Sequence, residues 1–347
     1  MKEIFITYMF PGFKGSTKNE CLSVNGDKYG LQFKWLPFGE GRPDYVIATE
    51  HIYTNKSFYK QYKKYVSQGA IIIFITGECM TPDLNICDYA VSFDRHLQID
   101  DRVGRKPTLY FFTQSLFNEY INMPVTEDLL RAKTKFCNFM YSHPFKTRDE
   151  LFYKISEYKK VDSIGKHLNN TGVQSTRYAK GWQKLSIEMR LPYKFSIAAE
   201  NASLNGYTTE KLISCLEAKT IPIYWGDASV CEEFNTKAFI NCHDYDNWDD
   251  VLARIKEIDS NPELFKKIIA EPWQTREQRE KQIKEVERYE NWVAHIFLQD
   301  KSEAKRMLGG TFHDVYMNWF DRRYNQGGVI GNLIYEIKKV KRMIFKQ

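Results

Sequence analysis

The class of the fold is decided by residues 193–225, which read YKFSIAAENASLNGYTTEKLISCLEAKTIPIYW. This stretch predicts an apolar strand over Lys194–Ala199, a helix over Thr209–Ala218 and a second strand over Ile221–Tyr224, which Gly226 stops. Apolar strands separated by a helix are typical of a parallel sheet that is covered on both faces. The stretch therefore predicts an α/β fold.

The same alternation continues outward on both sides. Before the stretch, strands are predicted at Glu3–Phe10, Tyr45–Ala48, Ala70–Ile75, Tyr89–Phe93, Thr108–Phe112, Phe136–Tyr141 and Val161–Ile164, with helices at Ser57–Val66 and Arg148–Tyr158. After it, a strand is predicted at Phe239–Asn241, with helices at Trp248–Ile258, Pro262–Ile269 and Arg276–Leu298. Residues Pro124–Lys135 are charged and irregular and predict a linker, and Asn169–Lys180 predicts a loop. The pattern predicts two doubly wound domains with a cleft between them.

Length and composition exclude several classes of protein. The chain has 347 residues, enough for about two domains. Its 43% apolar and 27% charged residues are typical of a folded protein and exclude disordered and fibrous chains. Apolar runs such as Ala70–Ile75 are far shorter than the roughly 20 residues of a membrane-spanning helix. The N-terminus predicts a strand rather than a signal peptide. The seven cysteines form no CxxC pair, which argues against zinc and a disulfide framework and favours the cytoplasm.

The net charge of +6 is concentrated near the C-terminus. Val329–Gln347 holds five basic residues against one glutamate, a net +4, which leaves +2 for the rest and argues against a general nucleic-acid binder. Apolar residues in this segment recur at helical spacing, at Ile330, Leu333, Ile334, Ile337, Val340 and Ile344. The spacing predicts an amphipathic helix with a basic face. Two interpretations stay open: contact with an anionic membrane surface, or a helix docked on the protein with solvated lysines.

The first candidate site lies between the strand that ends at Ala199 and the following helix. Glu200 and Asn201 follow the strand end, where open α/β sheets bind ligands. The helix begins at Thr208–Lys211, and its N-terminus can bind phosphate, with the charge of Lys211 added and Glu210 available to ribose hydroxyls. The alternative is structural: a threonine caps the helix and Glu210 complements its dipole.

The motifs of this region identify a family resemblance. The YKF run from Tyr193, Glu200-Asn201, the run Gly206-Tyr207-x-Thr-Glu210-Lys211 and the run Thr220–Gly226 resemble the donor-site signature of the α-1,3/1,4-fucosyltransferases, glycosyltransferase family 10. Weaker similarity includes Thr76-Gly77-Glu78, the run Pro82–Asp94, Arg148 and the run Phe239–Tyr245. The resemblance covers roughly residues 45–270 and is closest to short bacterial members.

The resemblance implies a fold and a reaction. The fold is GT-B: two Rossmann-like domains facing a cleft, here 1–130 for the acceptor and 131–300 for GDP-fucose, followed by a helical basic tail over 301–347. The reaction is inverting transfer of L-fucose from GDP-β-L-fucose to a glycan hydroxyl, O3 of N-acetylglucosamine or glucose for an α-1,3 linkage, with α-1,4 as the variant. The acceptor would be a glycan such as N-acetyllactosamine or a lipopolysaccharide O-chain. The implied location is the bacterial cytoplasm, with the tail near the inner membrane.

The resemblance also assigns roles to residues. Glu78 matches the general base, which takes the acceptor proton. Arg148 and Lys211 match the cations that hold the diphosphate, and Arg suits this through bidentate contacts. The remaining expected donor contacts are Glu210 at the ribose, Asn201, Tyr207 and Glu200, the last of which supports the site or contacts the fucose. The structural alternative is a solvated loop acid for Glu78 and surface charge for Arg148 and Lys211.

No metal or other cofactor is expected. Asp244-Tyr245-Asp246 is literally a DxD, but acidic loops are common and it lies far in sequence from the phosphate-binding helix. His143 and His243 lack ligand spacing. The chain departs from the family at Ala199, at Lys219 and in the loop 10–15, which lacks a Trp-rich run, so the acceptor is less certain than the donor. The alternatives are a transferase that uses another GDP-hexose and a protein that only binds a nucleotide, a glycan or nucleic acid.

Overall fold

The computed structural model describes residues 1–11, 13–15, 22–97, 101–108, 124–173, 181–307 and 309–325, with only the backbone at 322–325. The chain divides into two compact units. The first takes Met1–Val91, Ile99–Gly104 and the described chain from Val293 onward. The second takes Ser92–Gln98 and Arg105–Trp292. The first unit is therefore built from segments that are far apart in sequence.

The first unit contains a six-stranded sheet in the order β2-β1-β3-β4-β5-β6. Its strands are β1 (Lys2–Tyr8), β2 (Leu31–Leu36), β3 (Tyr45–Ala48), β4 (Ile71–Ile75), β5 (Tyr89–Ser92) and β6 (Val103–Arg105). The pairs β1–β2, β1–β3, β3–β4 and β4–β5 are parallel. Its helices are α1 (His51–Thr54), α2 (Lys56–Ser67) and, late in the chain, α10 (Thr311–Asn325). Both β3 and β4 are entirely buried, as continuous apolar strands of a covered parallel sheet should be.

The second unit contains a five-stranded parallel sheet in the order β11-β10-β9-β7-β8. Its strands are β7 (Lys135–Phe139), β8 (Val161–Ser163), β9 (Tyr193–Ala199), β10 (Ile221–Trp225) and β11 (Ile240–Asn241). Its helices are α3 (Glu127–Ala132), α4 (Lys146–Ser156), α5 (Trp182–Arg190), α6 (Glu210–Glu217), α7 (Trp248–Ser260) and α8 (Pro262–Ile269). The helix α9 (Arg276–Leu298) leads from this unit back to the first.

The two sheets share one strand order. In each sheet, the strand that comes first in the sequence lies between the second and the third strands of that sheet. The loops after the first and third strands therefore leave in opposite directions and open a crevice at the carboxyl edge, which is where such sheets bind ligands. The crevices lie between β1 and β3 in the first unit and between β7 and β9 in the second.

The prediction of two Rossmann-like α/β units is confirmed by these sheets. The linker prediction for Pro124–Lys135 is wrong over Glu127–Ala132, because Thr126 accepts a hydrogen bond from the N–H of Leu129 and caps a helix there. Besides α3, the elements β2, β6, α1 and α5 were not predicted, whereas α10 lies within the tail 301–347 that was expected to be helical. Most of the predicted strand Thr108–Phe112 and the whole predicted amphipathic helix after Val329 lie outside the described residues. Within the described chain, no helix has the length and apolar character to span a membrane.

Candidate functional site

The carboxyl edge of the second unit gathers a buried charged cluster. Glu200 directly follows β9 and is fully buried. Its Oε1 accepts hydrogen bonds from the N–H and the Oγ1 of Thr209, both at 2.8 Å. Its Oε2 lies 2.9 Å from Lys211 Nζ. A buried carboxylate without such partners would be costly, so these contacts fix the loop between β9 and α6 against the strand end.

Lys211 lies at the centre of this cluster. Its ammonium donates to Thr209 Oγ1 at 2.9 Å and lies 3.4 Å from Glu210 Oε1, in addition to its contact with Glu200. Burial disfavours the charged form, but Glu200 and Glu210 more than offset it and raise the pKa of Lys211. Burial raises the pKa of Glu200 against the attraction of Lys211. The structure thus brings together three of the predicted donor residues, with Lys211 charged and already surrounded by acceptors.

Arg148 lies at the same edge, in the first turn of α4. It is 7% exposed, and its Nε donates to the carbonyl of Ala199 at 2.9 Å. Its guanidinium carbon lies 4.3 Å from the ring centre of Tyr141 and 5.5 Å from that of Phe145. Within the described parts of the chain, no side chain or carbonyl accepts a hydrogen bond from Nη1 or Nη2. A largely buried guanidinium with both terminal nitrogens available is suited to an anionic ligand.

The other two predicted donor residues have different surroundings. Asn201 is half-buried beside Glu200. Tyr207 is 2% exposed, and its ring packs edge-on against Phe93, with ring centres 5.1 Å apart. Gly206 has φ +90°, and a Cβ there would lie 2.1 Å from the carbonyl oxygen of Phe93. In this structure Tyr207 and Gly206 therefore shape the loop by packing.

An ion-pair network behind this loop was not predicted. Arg95 Nη2 donates to Asp227 Oδ2 at 3.1 Å, and Arg95 Nη1 lies 3.4 Å from Glu233 Oε1. Thr208 Oγ1 donates to the same oxygen of Asp227 at 3.2 Å. Burial disfavours the charge of Arg95, but Glu233 and Asp227 raise its pKa. The network therefore fixes Thr208, the residue before the N-cap of α6. Only Asp227 carried a sequence signal, as an acid just past the end of β10.

The acidic loop after β11 has structural partners. Asp244 Oδ1 accepts from the Nδ2 of Asn241 at 2.8 Å. The ring of His243 stacks on Trp225, with ring centres 6.0 Å apart, and its Nε2 lies 3.0 Å from the carbonyl of Gly226. Among the described residues, no group of three or more His, Cys, Asp or Glu side chains could hold a metal ion. That the protein needs no metal stays a prediction.

Glu78 lies in the first unit, in the loop after β4, where it is exposed. Its N–H donates to Thr76 Oγ1 at 3.0 Å, and Thr76 Oγ1 donates to Glu50 Oε2 at 2.9 Å. Glu50 Oε1 lies 3.6 Å from His51 Nδ1. A second carboxylate, that of Glu50, therefore shares the edge of the sheet with Glu78. Sequence reasoning missed it because two helices and a strand separate Glu50 from Glu78.

An exposed aromatic ring lies at the same edge. Phe10, just after β1, is 45% exposed; its ring stacks on Tyr8 and meets His51 edge-on, with ring centres 5.4 and 5.6 Å apart. Thr49 Oγ1 donates to the carbonyl of Met9 at 2.9 Å, which ties the end of β3 to the end of β1. The crevice between β1 and β3 is thus lined by an aromatic ring, an imidazole and a carboxylate.

Comparisons with known proteins cover both units. A family model described as "Glycosyltransferase family 10 (fucosyltransferase) C-term" matches residues 130–307, and one described as "Alpha-(1,3)-fucosyltransferase FucT N-terminal domain" matches residues 40–112. A putative fucosyltransferase of Acanthamoeba polyphaga mimivirus is 37% identical over 205 residues, which is 58% of this chain and 33% of that protein. The alpha-(1,3)-fucosyltransferase FucT of Helicobacter pylori is 30% identical over 229 residues, 57% of this chain and 46% of that protein. The matches span less than half the length of these curated relatives.

A solved structure supports the fold class. The crystal structure of an alpha1,3-fucosyltransferase with GDP-fucose superposes with a TM-score of 0.63 at 21% identity, covering 86% of this chain and 92% of that one. The predicted GT-B fold class is confirmed by this likeness. The family prediction is confirmed by the family models, which match both the residues around Glu78 and those around Arg148 and Lys211.

Proposed function

This chain belongs to glycosyltransferase family 10, the fucosyltransferases, and from that membership we propose that it transfers L-fucose from GDP-β-L-fucose to a hydroxyl of a glycan. The observation that carries the proposal is the cluster at the crevice between β7 and β9. There Arg148 has available terminal nitrogens, Lys211 is charged, and the N-terminus of α6 supplies a positive dipole end. A nucleoside diphosphate is the ligand class that this combination suits.

The chemistry proposed is a single displacement with inversion. The bond between the anomeric carbon of fucose and the β-phosphate oxygen breaks, and GDP leaves with the electron pair. The acceptor oxygen forms the new bond while its proton passes to the carboxylate of Glu78. Arg148 and Lys211 stabilise the charge that develops on the diphosphate. These protein cations remove the need for a metal ion.

For Lys211, the contacts suggest how this charge is used. Its ammonium has three protons and three acceptors in the structure. The contact with Glu210 is the longest of the three, and the Glu210 side chain is 41% exposed. We propose that this contact is exchanged for a phosphate oxygen, which releases Glu210 for the ribose hydroxyls, while Glu200 keeps Lys211 in place.

The acceptor is proposed to bind in the first unit, at the crevice between β1 and β3. Phe10 offers an exposed ring for the apolar face of a sugar, and Glu50 and His51 offer hydrogen-bonding groups for hydroxyls. Glu78 shares this edge through Thr76. We propose O3 of N-acetylglucosamine or glucose as the reacting hydroxyl, in N-acetyllactosamine or a lipopolysaccharide O-chain.

The place of action is also a proposal. We propose a cytoplasmic enzyme in peripheral contact with the inner membrane through Val329–Gln347. Support comes from the net +4 of that segment and from α10 before it, where Phe312, Val315 and Trp319 are 90%, 61% and 56% exposed at helical spacing. Sedimentation with anionic vesicles should carry the protein down, and neutral vesicles should not. Equal recovery with both would contradict the electrostatic part of this proposal.

The deciding experiment measures GDP release from GDP-fucose with and without N-acetyllactosamine, in EDTA. Acceptor-dependent release in EDTA would establish transfer without a metal. Saturable binding of GDP-fucose without release of GDP would support GDP-fucose as the donor and reject N-acetyllactosamine as the acceptor. Neither binding nor release would reject fucose transfer, and a panel of other GDP-hexoses would then identify a different donor.

A further inference from the structure

Tyr141, two residues after β7, contacts the neighbouring strand β9 through its side chain. Tyr141 is 7% exposed, and its hydroxyl bridges two main-chain groups of the neighbouring strand β9. It donates to the carbonyl of Ile197 at 2.9 Å and accepts from the N–H of Ala199 at 2.7 Å. Burial raises the pKa of Tyr141 to about 12, so the hydroxyl keeps the proton that it donates.

These two bonds continue the sheet beyond its last main-chain pairs. The main-chain pairing of β7 with β9 ends where Asn138 lies opposite Ser196. Past that point the tyrosine hydroxyl bonds the Ile197 carbonyl and the Ala199 N–H, and the Nε of Arg148 bonds the Ala199 carbonyl. The end of β9, from which Glu200 projects, is therefore held by the side chains of Tyr141 and Arg148 in addition to its main-chain pairing with β10.

The ring of the same tyrosine supports Arg148. The guanidinium carbon lies 4.3 Å from the ring centre, and the Nε of Arg148 donates to the carbonyl of Ala199, whose N–H donates to the Tyr141 hydroxyl. Tyrosine, arginine and Ala199 thus form a closed set of three contacts. Stacking and the Nε bond leave the two terminal nitrogens as the part of Arg148 that a ligand can reach.

The main chain at Tyr141 is itself rigidly placed. A Cβ at Gly165, after β8, would lie 2.3 Å from the carbonyl oxygen of Tyr141, so only glycine allows this approach. The N–H of His167 donates to that same oxygen at 2.8 Å. The main chain that carries the Tyr141 ring is therefore fixed at the crevice between β7 and β9.

We propose that Tyr141 is a positioning residue for donor binding: its ring orients the Arg148 guanidinium toward the diphosphate, and its hydroxyl fixes the strand end that carries Glu200. This inference rests on the proposed function, because it assumes that Arg148 binds the diphosphate. Tyr141 acts through Arg148 and Ala199 and need not touch the donor.

The test measures GDP binding by calorimetry in variants at Tyr141. Tyr141→Phe keeps the ring and loses the hydroxyl. Tyr141→Met loses both, and its flexible side chain fills part of the space that the ring leaves. GDP affinity should fall in the order wild type, Tyr141→Phe, Tyr141→Met, with the last weakened about 3- to 10-fold. Unchanged affinity in Tyr141→Met would overturn the proposal.

A double variant separates positioning from general destabilisation. In an Arg148→Ala background, Tyr141→Met should weaken GDP binding by less than about twofold, because the group it orients is gone. The same loss with and without Arg148 would overturn the proposal that the Tyr141 ring acts by orienting Arg148. Ile255→Val, in the same core on α7, is the matched control and should leave GDP affinity unchanged.

The outcomes also distinguish this inference from the proposed function. If the wild-type protein binds neither GDP nor GDP-fucose, the proposed function fails and this inference fails with it. If the wild type binds both and the Tyr141 variants bind equally well, this inference alone is overturned. Thermal melting confirms that each variant is folded. If Tyr141→Met is unfolded, Tyr141→Phe carries the test, and unchanged GDP affinity in it would then overturn the proposal.

Discussion

The ammonium of Lys211 lies 2.9 Å from Glu200 Oε2, although Lys211 is in the first turn of α6 and Glu200 follows β9. The pair joins two elements that both contribute to the crevice. Because Glu200 is fully buried, its charge depends on this contact and on the bonds from Thr209. Lys211 therefore orders the loop before α6 as well as supplying charge to a ligand.

Removing the Lys211 charge should destabilise the protein in a pH-dependent way. In Lys211→Ala, the folded-state pKa of Glu200 rises further above its unfolded value, so the stability deficit grows as pH rises from about 4.3. We expect a loss of about 3 kcal/mol at pH 7 and much less at pH 4. Urea unfolding at both values measures it. Adding the substitution Glu200→Gln to Lys211→Ala should recover part of the lost stability. An equal loss at both pH values would contradict the view that the unpaired Glu200 carboxylate causes it.

Arg148→Ala should weaken GDP-fucose binding by about 10- to 100-fold, because charge-assisted hydrogen bonds from its terminal nitrogens are lost. Arg148→Lys should restore only part of the affinity, since an ammonium cannot form the bidentate contact. Titration calorimetry measures both. The control is Lys146→Ala on the same helix, whose side chain is 88% exposed. Equal effects of Lys146→Ala and Arg148→Ala would mean that only the general charge of α4 matters.

Glu78→Gln should lower the turnover number about 10²- to 10⁴-fold, because the amide cannot take the acceptor proton. The affinity for GDP should stay unchanged, since Glu78 and the crevice between β7 and β9 belong to different units. Initial rates of GDP release and GDP calorimetry provide the two readouts. Glu50→Gln, which keeps an oxygen for Thr76, should retain most of the turnover. Wild-type turnover in Glu78→Gln would reject this residue as the base.

Glu217, near the end of α6, should make the protein less stable as pH rises. It is 3% exposed, one of its carboxylate oxygens lacks a partner within the described chain, and burial raises its pKa to about 7 against the attraction of Arg190. Between about pH 4.3 and 7 the folded protein keeps a proton that the unfolded chain loses, so stability falls across that window. Glu217→Gln should exceed wild type by up to about 3 kcal/mol at pH 8 and match it at pH 4. Unfolding curves at both values test this; a constant difference would refute it.

Gly206→Ala should destabilise the loop before α6 by at least about 2 kcal/mol, because φ is +90° and the new Cβ would meet the carbonyl oxygen of Phe93. GDP binding should weaken as the loop shifts. Gly172→Ala is the matched control, with φ +73° and no atom within 4 Å of the added Cβ. Its cost should be only that of the left-handed backbone, about 1 kcal/mol. Similar losses in both would show that the contact with Phe93 is unimportant.

The sequence predicts best the elements whose pattern is local. The apolar runs of β4 and β9 and the capped helix α6 were predicted within one or two residues of their bounds. The strand β2 was missed because its residues alternate with Gln32 and Lys34 on an edge of the sheet, and β6 because three residues are too few for a pattern. Short edge strands are defined by their neighbours rather than by their own composition.

The sequence predicted which residues belong to the candidate site but not which of them contact one another. Arg148 and Lys211 are found by motif, but the pairing of Lys211 with Glu200 depends on how the loop after β9 folds back. The role of Tyr141 depends on Ala199, which is 58 residues away in sequence and adjacent only because β7 pairs with β9. Such contacts follow from strand order, which no single segment encodes.

The division of the chain has a consequence for its biosynthesis. Tyr45, on β3, donates its hydroxyl proton to the carbonyl of Ile296, and Lys2 Nζ donates to the carbonyls of Leu298 and Gln299. A ribosome makes β1 and β3 early but supplies these partners about 250 to 300 residues later. The second unit, which ends at Trp292, is complete before then. The unit that is translated first is therefore the last to acquire its native contacts, and its apolar strands need protection from misassociation while synthesis continues.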